Sequence, residues 1–350
     1  MRRLLRTRAT AAIGVLVAGV IVLAAGCGGD GDSSDATTAT VETAPAVDNR
    51  LDRVVAEIEV GEEPFIVAAV PTRDLVLVTD LTDDTLTVVD TVNRAVVGAV
   101  EVGEEPAGVV ATSDGTTAFV GVTGDDSVVR VDLTDEPRVT GAINIPDGPG
   151  ALALSPDGSR LYVSRFQGAQ IDVVDVAAAE VVGTIDVTEG PGALAFTPDG
   201  ERLYVAGART EDVTVIDAAT DTVIDTVDLG KNSGWIAITP GGDAYLTHAR
   251  EGEITVLDTD TNTVRAELAS GNRTGGIPAT AAVSPDGATV YVASFGENNP
   301  SAVEVIDTET TRTVGRIPLA GAVNGIAIAT DGETAYIADR LGDELTVIGR

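Results

Sequence analysis

A turn phrase that recurs at a nearly constant interval limits the fold of this chain more than any other feature. Its clearest copy is Ser155-Pro156-Asp157-Gly158, in which Pro presets φ, Asp bonds to nearby backbone and Gly accepts a positive φ. Related phrases place their second residue at positions 71, 113, 156, 198, 240, 285 and 330, at intervals of 42, 43, 42, 42, 45 and 45 residues. A fixed period in this range predicts a repeat architecture.

Each repeat contains several short apolar runs, and the third repeat shows them most clearly. Its four runs begin at Gly150, Arg160, Gln170 and Val181, and each has the length and β-branched composition of a strand. Four strands in a repeat of this period predict one blade of a β-propeller. Because the phrase occurs seven times, the sequence predicts an all-β, seven-bladed propeller with four antiparallel strands per blade.

The two ends of the predicted propeller complement each other. The segment 53–60 has the pattern of a fourth strand but precedes the first repeat, whereas the last repeat reaches Arg350 after three strands. We therefore expect the N-terminal strand to complete the last blade and remove an open sheet edge. The predicted propeller domain spans residues 50–350.

The start of the chain has the pattern of an export signal over residues 1–26. An arginine-rich stretch precedes an apolar run over residues 11–25, which is short for a membrane span. Cys27, the only cysteine, follows Leu23-Ala24-Ala25-Gly26, and this phrase resembles the lipobox of bacterial lipoproteins. The resemblance implies cleavage before Cys27 and lipidation of its sulfur. An ordinary secretion signal followed by an incidental cysteine is the alternative.

Residues 27–49 are rich in Gly, Ser, Thr, Ala and Asp, and this composition predicts a flexible, acidic tether. We therefore expect an extracytoplasmic protein, at the cell surface or in the periplasm, that contacts the membrane through its lipid anchor only. The formal net charge of −33 argues against nucleic acid as a partner, because phosphate binding needs a basic surface. We expect a monomer whose partner is a cell-envelope glycan or another protein.

Three strand phrases carry a family resemblance, namely Leu161-Tyr162-Val163-Ser164, Leu203-Tyr204-Val205-Ala206 and Tyr291-Val292-Ala293-Ser294. Through them the chain resembles the YVTN β-propeller repeat proteins over residues 53–350. The resemblance implies the propeller fold. It says little about function, because members of this and neighbouring groups include surface proteins, redox-enzyme subunits and seven-bladed lactonases.

An aspartate closes the third predicted strand of six repeats, at Asp90, Asp132, Asp175, Asp217, Asp258 and Asp307. A residue used in every blade serves the blade, so we interpret these side chains as turn caps rather than metal ligands. The phrase that starts at Asp258 resembles a calcium loop, but Thr263 and Ala269 occupy the positions that need Gly and Glu. An EF-hand is therefore excluded, and adventitious calcium at acidic loops stays an open alternative.

No cofactor, metal site or catalytic residue is predicted. His248 is the only histidine, whereas the haem, copper and zinc sites of redox propellers use several His or Cys ligands. The phrases that mark a serine-hydrolase elbow or a phosphate loop do not occur in the sequence either.

Residues that are not repeated indicate where a ligand binds. In propellers, the loops from second to third strand and from fourth to next first strand ring one mouth of the central channel. On these loops we select as candidate ligand-binding residues Arg165, Phe166, Arg209, Trp235, His248, Arg250, Arg273, Phe295, Asn324 and Arg340. The first two repeats place acidic residues there instead, namely Glu62, Glu63, Asp83, Asp84, Glu104, Glu105, Asp125 and Asp126. Chance variation of loop residues is the alternative.

The sequence thus predicts a lipid-anchored propeller that acts as a non-catalytic binding scaffold through the loops of its channel mouth. Two alternatives stay open. One is a lactonase-like hydrolase that uses His248 and Arg250 at the mouth, with Glu251 or Glu253 nearby. The other is a cofactor-free subunit of an envelope redox complex.

Overall fold

The computed structural model describes residues 50–270, 276–296 and 301–350, which form seven sheets of four antiparallel strands. The predicted seven-bladed propeller is therefore confirmed. Within these ranges there is no helix with the length and apolar character needed to cross a membrane. The predicted signal peptide (1–26), the lipidated Cys27 and the tether (27–49) lie outside the described residues.

The first strand of the described residues, β1 (Arg53–Glu59), belongs to the last blade, and blades 1 to 4 follow it. Blade 1 contains β2 (Pro64–Ala69), β3 (Leu75–Asp80), β4 (Thr85–Asp90) and β5 (Ala95–Glu101). Blade 2 contains β6 (Pro106–Ala111), β7 (Thr117–Val122), β8 (Ser127–Asp132) and β9 (Arg138–Asn144). Blade 3 contains β10 (Pro149–Leu154), β11 (Arg160–Arg165), β12 (Gln170–Asp175) and β13 (Glu180–Asp186). Blade 4 contains β14 (Pro191–Phe196), β15 (Arg202–Gly207), β16 (Asp212–Asp217) and β17 (Thr222–Asp228).

The remaining three blades complete the ring. Blade 5 contains β18 (Trp235–Ile238), β19 (Asp243–His248), β20 (Glu253–Asp258) and β21 (Thr263–Ala269). Blade 6 contains β22 (Gly276–Val283), β23 (Thr289–Gly296), β24 (Ala302–Asp307) and β25 (Arg312–Pro318). Blade 7 contains β26 (Val323–Ile328), β27 (Thr334–Asp339), β28 (Glu344–Gly349) and β1.

The ring closes through β1, as the sequence predicts. β1 pairs with β28 in antiparallel register from Arg53 opposite Gly349 to Glu59 opposite Glu344. Just before β1, the backbone N–H of Leu51 donates to the hydroxyl of Tyr291 in blade 6 at 3.0 Å. Strands from both ends of the propeller therefore build blade 7, and their pairing closes the ring without an open sheet edge between the first and last repeats.

Tyrosines on second strands join neighbouring blades. The hydroxyl of Tyr162 in blade 3 donates to Asp221 of blade 4 at 2.7 Å, and that of Tyr204 in blade 4 donates to the carbonyl oxygen of Thr259 in blade 5 at 2.9 Å. Both rings are almost fully buried between the sheets. These residues come from the strand phrases of the sequence resemblance, so the phrases mark contacts between blades.

The aspartates that close the third strands cap the following turn, as predicted. Asp90 accepts the backbone N–H of Asn93 at 2.7 Å, and Asp217 accepts that of Thr220 at 2.8 Å. Asp175, Asp258 and Asp307 make the same bond to the N–H three residues on, and Asp132 accepts the backbone N–H of Thr134, two residues on. The bond from Asn93 holds the pKa of Asp90 below its usual value.

Candidate functional site

The first strands of the seven blades, β2, β6, β10, β14, β18, β22 and β26, contact one another around a central channel. Its empty space, including the part open to solvent, measures about 1070 Å³. We call the face with the second-to-third and fourth-to-first loops the channel mouth, and the opposite face, formed by the other turns, the rear face. Most residues of the channel wall are Gly, Ala, Pro and aromatic residues.

Trp235 occupies a position in the channel wall that a small residue fills in most blades. It lies five residues before the turn anchor of its repeat. The residues at the same place in the other repeats are Ile66, Gly108, Ala151, Ala193, Thr280 and Gly325. The indole therefore takes up space that most of its counterparts leave empty.

The side chain of Trp235 crosses the channel. Its Nε1–H donates to the carbonyl oxygen of Ala281 in blade 6 at 2.9 Å. The ring also packs against the hydrophobic cluster of blades 1 and 2, which includes Phe65 and Ala107. Since blade 5 lies across the seven-membered ring from blades 1 and 2, these contacts place the indole over the channel axis.

The polar side chains of the channel wall already donate to the protein itself. Thr123 donates to the carbonyl oxygen of Pro149 at 3.0 Å, and Thr247 to that of Ala279 at 2.8 Å. Asn324 donates to the carbonyl oxygen of Phe65, and Asn232 to that of Thr210, both at 3.3 Å. The hydroxyl of Thr280 donates to the carbonyl oxygen of Asn324. These bonds join neighbouring blades and leave a wall that offers a ligand few free donors.

Two arginines at the mouth lie over phenylalanine rings that line the channel. The Cζ atom of Arg209 is 4.9 Å from the centroid of Phe166, and that of Arg340 is 6.0 Å from the centroid of Phe65. Both distances fall within the range of cation–π contacts. Arg340 also pairs with Glu63 at 3.1 Å, and a hydrogen bond from Thr82 together with Arg340 lowers the pKa of Glu63. The mouth therefore has two arginine–phenylalanine pairs, which lie on opposite sides of the channel.

Arg250 is the only charged residue in the described part of the channel wall. It belongs to the loop between β19 and β20 and is exposed. Over the ranges that the structure describes, its guanidinium makes no hydrogen bond or salt bridge, although the chain has 55 acidic and 22 basic residues. The guanidinium is therefore available to a ligand in the channel.

Arg165 does not face the channel, in contrast to the expectation from the sequence. Its Nε and Nη2 atoms each lie 2.8 Å from a carboxylate oxygen of Asp172, and its Nη1 donates to Gln170 at 2.7 Å. Asp172 is fully buried, and its hydrogen bonds raise the pKa of Arg165 further. The paired guanidinium stabilises the end of blade 3, because a buried carboxylate needs a partner.

His248 is also placed differently from its predicted role. The imidazole is fully buried and does not line the channel. Its Nδ1 lies 3.0 Å from the carbonyl oxygen of Asn232, and its Nε2 lies 2.7 Å from the hydroxyl of Thr255. Burial lowers the pKa of His248, so the ring is neutral, donates from Nδ1 and accepts at Nε2. It is a structural residue of blade 5.

The other candidates divide between the wall and positions away from it. Asn324 is part of the channel wall, whereas Phe295 lies at the end of β23 opposite Ile277 and outside the wall. Arg273 lies outside the described residues. The structure therefore brings together Phe166, Arg209, Trp235, Arg250, Asn324 and Arg340 at the channel and its mouth.

The acidic residues of blades 1 and 2 hold the loops of the mouth together. Asp83 accepts the backbone N–H of Glu62 at 2.9 Å, and Asp84 accepts that of Glu105 at 3.2 Å. Asp125 accepts the backbone N–H of Glu104 at 3.0 Å. Within the described ranges there is no group of three or more His, Cys, Asp or Glu side chains placed to hold a metal ion.

Phe65 is a channel residue that is absent from the candidates predicted from the sequence, because the loops of blade 1 are acidic. It stands six residues before its turn anchor, where the other repeats have Ala, Gly or Asn. Alignment of the seven repeats at this position and the next marks both Phe65 and Trp235 as unusually large. That signal was present in the sequence.

Comparison with known proteins gives a family and a fold. A family model described as YNCE-like beta-propeller matches residues 37–240, starting inside the segment predicted as the tether. No curated protein matches the chain significantly. Among solved structures, the hydrazine synthase of Kuenenia stuttgartiensis is similar, with a TM-score of 0.74 and 24% sequence identity. That match covers 82% of this chain and 96% of the other, and at this identity it shows the fold alone.

Proposed function

Because this chain belongs to the YNCE-like β-propeller family, we propose that it is a non-catalytic binding module that recognises its ligand or protein partner at the channel mouth. One observation carries the proposal. Non-repeated aromatic and cationic side chains, including Phe166, Trp235 and Arg250, surround an open and mainly apolar channel. Exposed loops on a rigid scaffold are common binding sites, and pockets of this composition commonly bind small molecules.

The lactonase-like alternative has less support than the binding function. It needs a general base at the mouth, and His248 was its candidate. The buried, neutral imidazole is bonded to Asn232 and Thr255 and is outside the channel wall. A general base must come within hydrogen-bond reach of the substrate, and this side chain cannot do so from its position.

We place the protein outside the cytoplasm, anchored through lipid on Cys27. The lipobox-like phrase before Cys27 supports this proposal. The chain also enters the propeller at the rear face, where Arg50 pairs with Asp307, the last residue of β24. A tether that leaves from the rear face keeps the channel mouth on the face opposite to the attachment point. The anchor and the binding site would then not compete for one surface.

The anchor is tested by detergent-phase partition of the full chain and its Cys27→Ser variant, made in a bacterium that processes lipoproteins. The native chain should enter the detergent phase and carry acyl groups on residue 27 by mass spectrometry. The variant should stay in the aqueous phase. Equal partition of the two proteins would contradict the lipid anchor and leave the binding function untouched.

Binding is tested by thermal unfolding of the full Cys27→Ser chain with peptidoglycan fragments, acidic oligosaccharides, lactones and amphipathic anions. A ligand at a hundred times its Kd raises the free energy of unfolding by about 2.7 kcal/mol. The proposal expects a shift with one class that is lost in Arg250→Gln and kept in Arg312→Gln. Arg312 is exposed at the start of β25, on the rear side of the ring. A shift that both variants keep would place the binding site elsewhere.

A further inference from the structure

We propose that the channel binds an amphipathic carboxylate, with its apolar body against Trp235 and its carboxylate group on Arg250. This inference rests on the proposed binding function and specifies the chemical class of its ligand. It combines the chemistry of the channel wall, the position of Trp235 across the channel and the unpaired guanidinium of Arg250.

The wall selects for an apolar ligand body. Its polar side chains Thr123, Thr247 and Asn324 donate to carbonyl oxygens of neighbouring blades, and the indole N–H of Trp235 does the same. A sugar placed in the channel would lose its hydrogen bonds to water and find few donors in exchange, which is unfavourable. An aliphatic or aromatic body has no hydrogen bonds to water to lose, and its burial in the channel is favourable.

Arg250 selects for a single anionic group. It is the only charged residue in the described channel wall, and it makes no hydrogen bond or salt bridge within the described ranges. A guanidinium presents paired N–H donors that match the two oxygens of a carboxylate. Of the two other arginines of the mouth, Arg209 lies over Phe166 and adds positive charge at the entrance, whereas Arg340 lies over Phe65 and pairs with Glu63.

The indole of Trp235 lies in the path of a ligand that enters the channel from the mouth. The empty space of the channel, about 1070 Å³, includes the open mouth, and the indole crosses the channel axis. A ligand that enters from the mouth therefore meets the indole before it could pass through. Dodecanoate serves as the probe, because it joins one flexible apolar chain to one carboxylate group.

The single tryptophan makes the test direct, because Trp235 is the only tryptophan in the chain. The full Cys27→Ser chain is titrated with dodecanoate below its micelle concentration, and the Trp emission is recorded. Binding in the channel should displace water from the half-buried indole and give a saturable blue shift. The Cys27→Ser substitution ensures that no acyl chain of the protein competes for the channel.

Two matched variants and one matched probe separate the contributions of charge and apolar body. Arg250→Gln should weaken dodecanoate binding about tenfold or more, which is the usual effect of losing a hydrogen bond to a charged group. Arg312→Gln should leave it unchanged. Dodecanol, which has the same chain without charge, should bind native and Arg250→Gln proteins with equal affinity.

Three results would overturn the inference. They are the absence of a saturable emission change with dodecanoate, equal dodecanoate affinity in the native and Arg250→Gln proteins, and equal weakening by Arg312→Gln. If dodecanoate fails but another ligand class shifts thermal unfolding in an Arg250-dependent way, the binding function stands and only the carboxylate assignment fails. Circular dichroism of each variant checks that it is folded.

Discussion

The indole Nε1–H of Trp235 donates to the carbonyl oxygen of Ala281 at 2.9 Å, and this bond fixes the side chain between blades 5 and 6. The same ring contacts the hydrophobic cluster of blades 1 and 2 on the other side of the channel. One residue thus connects distant parts of the ring across the channel.

Replacing Trp235 should affect stability in two graded steps. Trp235→Ala removes the contacts across the channel and should lower the free energy of unfolding by about 2–3 kcal/mol, somewhat less than for a fully buried aromatic residue. Trp235→Phe keeps an aromatic ring but loses the bond to Ala281, which should cost about 1 kcal/mol. Denaturant unfolding followed by circular dichroism measures both values. An alanine variant as stable as the native protein would contradict a packed position for the indole.

The imidazole of His248 should stay neutral at pH values where an exposed histidine is half protonated. Burial lowers its pKa, and its Nδ1–H is directed to the carbonyl oxygen of Asn232. Because the chain has one histidine, its imidazole carbon-bound protons give a single set of NMR signals that can be followed without assignment by mutation. These signals should show no titration around pH 6.5.

The same lowered pKa predicts a loss of stability in acid. The unfolded state binds a proton on His248 as the pH falls below about 6.5, whereas the folded state does so only at lower pH. The contribution of the neutral ring to stability is therefore present above pH 6.5 and is lost as the pH falls through the folded-state pKa. An NMR titration with the pKa of a free imidazole would show that the ring is exposed and would restore the mouth position predicted from the sequence.

The buried carboxyl group of Asp80 should lower the free energy of unfolding at neutral pH relative to its value near pH 4. Its carboxyl group is fully buried at the end of β3, and burial raises its pKa to about 6 despite hydrogen bonds from Thr85 and Thr87. An unfolded aspartate titrates near pH 3.9, so the contribution of Asp80 to stability is present below about pH 4 and is lost as the pH rises to about 6.

Asp80→Asn should therefore raise the free energy of unfolding at pH 7 by about 1–3 kcal/mol and leave it nearly unchanged at pH 4. Asp339 ends β27 at the equivalent place and supplies the control. It accepts the backbone N–H groups of Ala322, Leu341 and Gly342, so Asp339→Asn should not stabilise the protein at either pH. Urea unfolding at the two pH values makes the comparison, and an equal gain for Asp80→Asn at both would contradict a titrating carboxyl group.

The N-terminal strand should be essential to the closed ring. Ile58 on β1 is 6% exposed and pairs with Leu345, whereas Val54 on the same strand is 39% exposed. Ile58→Ala should lower the free energy of unfolding by about 2–3 kcal/mol, and Val54→Ala by less than about 1 kcal/mol. Equal effects in chemical unfolding would mean that β1 does not pack into the last blade.

The repeat pattern was sufficient to predict the number of blades, the strands and the closure of the ring. Each of these depends on local turn chemistry and on a strand period that recur seven times. A repeat with a degenerate turn phrase can therefore still be located from the spacing of the other copies. The aspartate turn caps were predictable for the same reason. They need only residues that are close in sequence.

The candidate site was predictable only in part. Arg165 and His248 lie near the mouth in sequence, but their side chains turn into blades 3 and 5, where Asp172 and Thr255 bind them. The direction of a side chain depends on partners from neighbouring strands, and the loop sequence does not contain this information. Phe65, the second residue of β2, was missed because the acidic residues just before it, Glu62 and Glu63, dominated the interpretation of blade 1.

Site-specific photo-crosslinking in living cells tests most directly whether the channel mouth is the binding face. A benzophenone amino acid is placed at Phe166, which lines the channel, or at Ser159, which is exposed in the turn between β10 and β11 on the rear face. After irradiation, mass spectrometry detects any protein or small molecule joined to the chain. The account predicts adducts from position 166 and none from position 159. Adducts from position 159 alone, or from both positions equally, would contradict it.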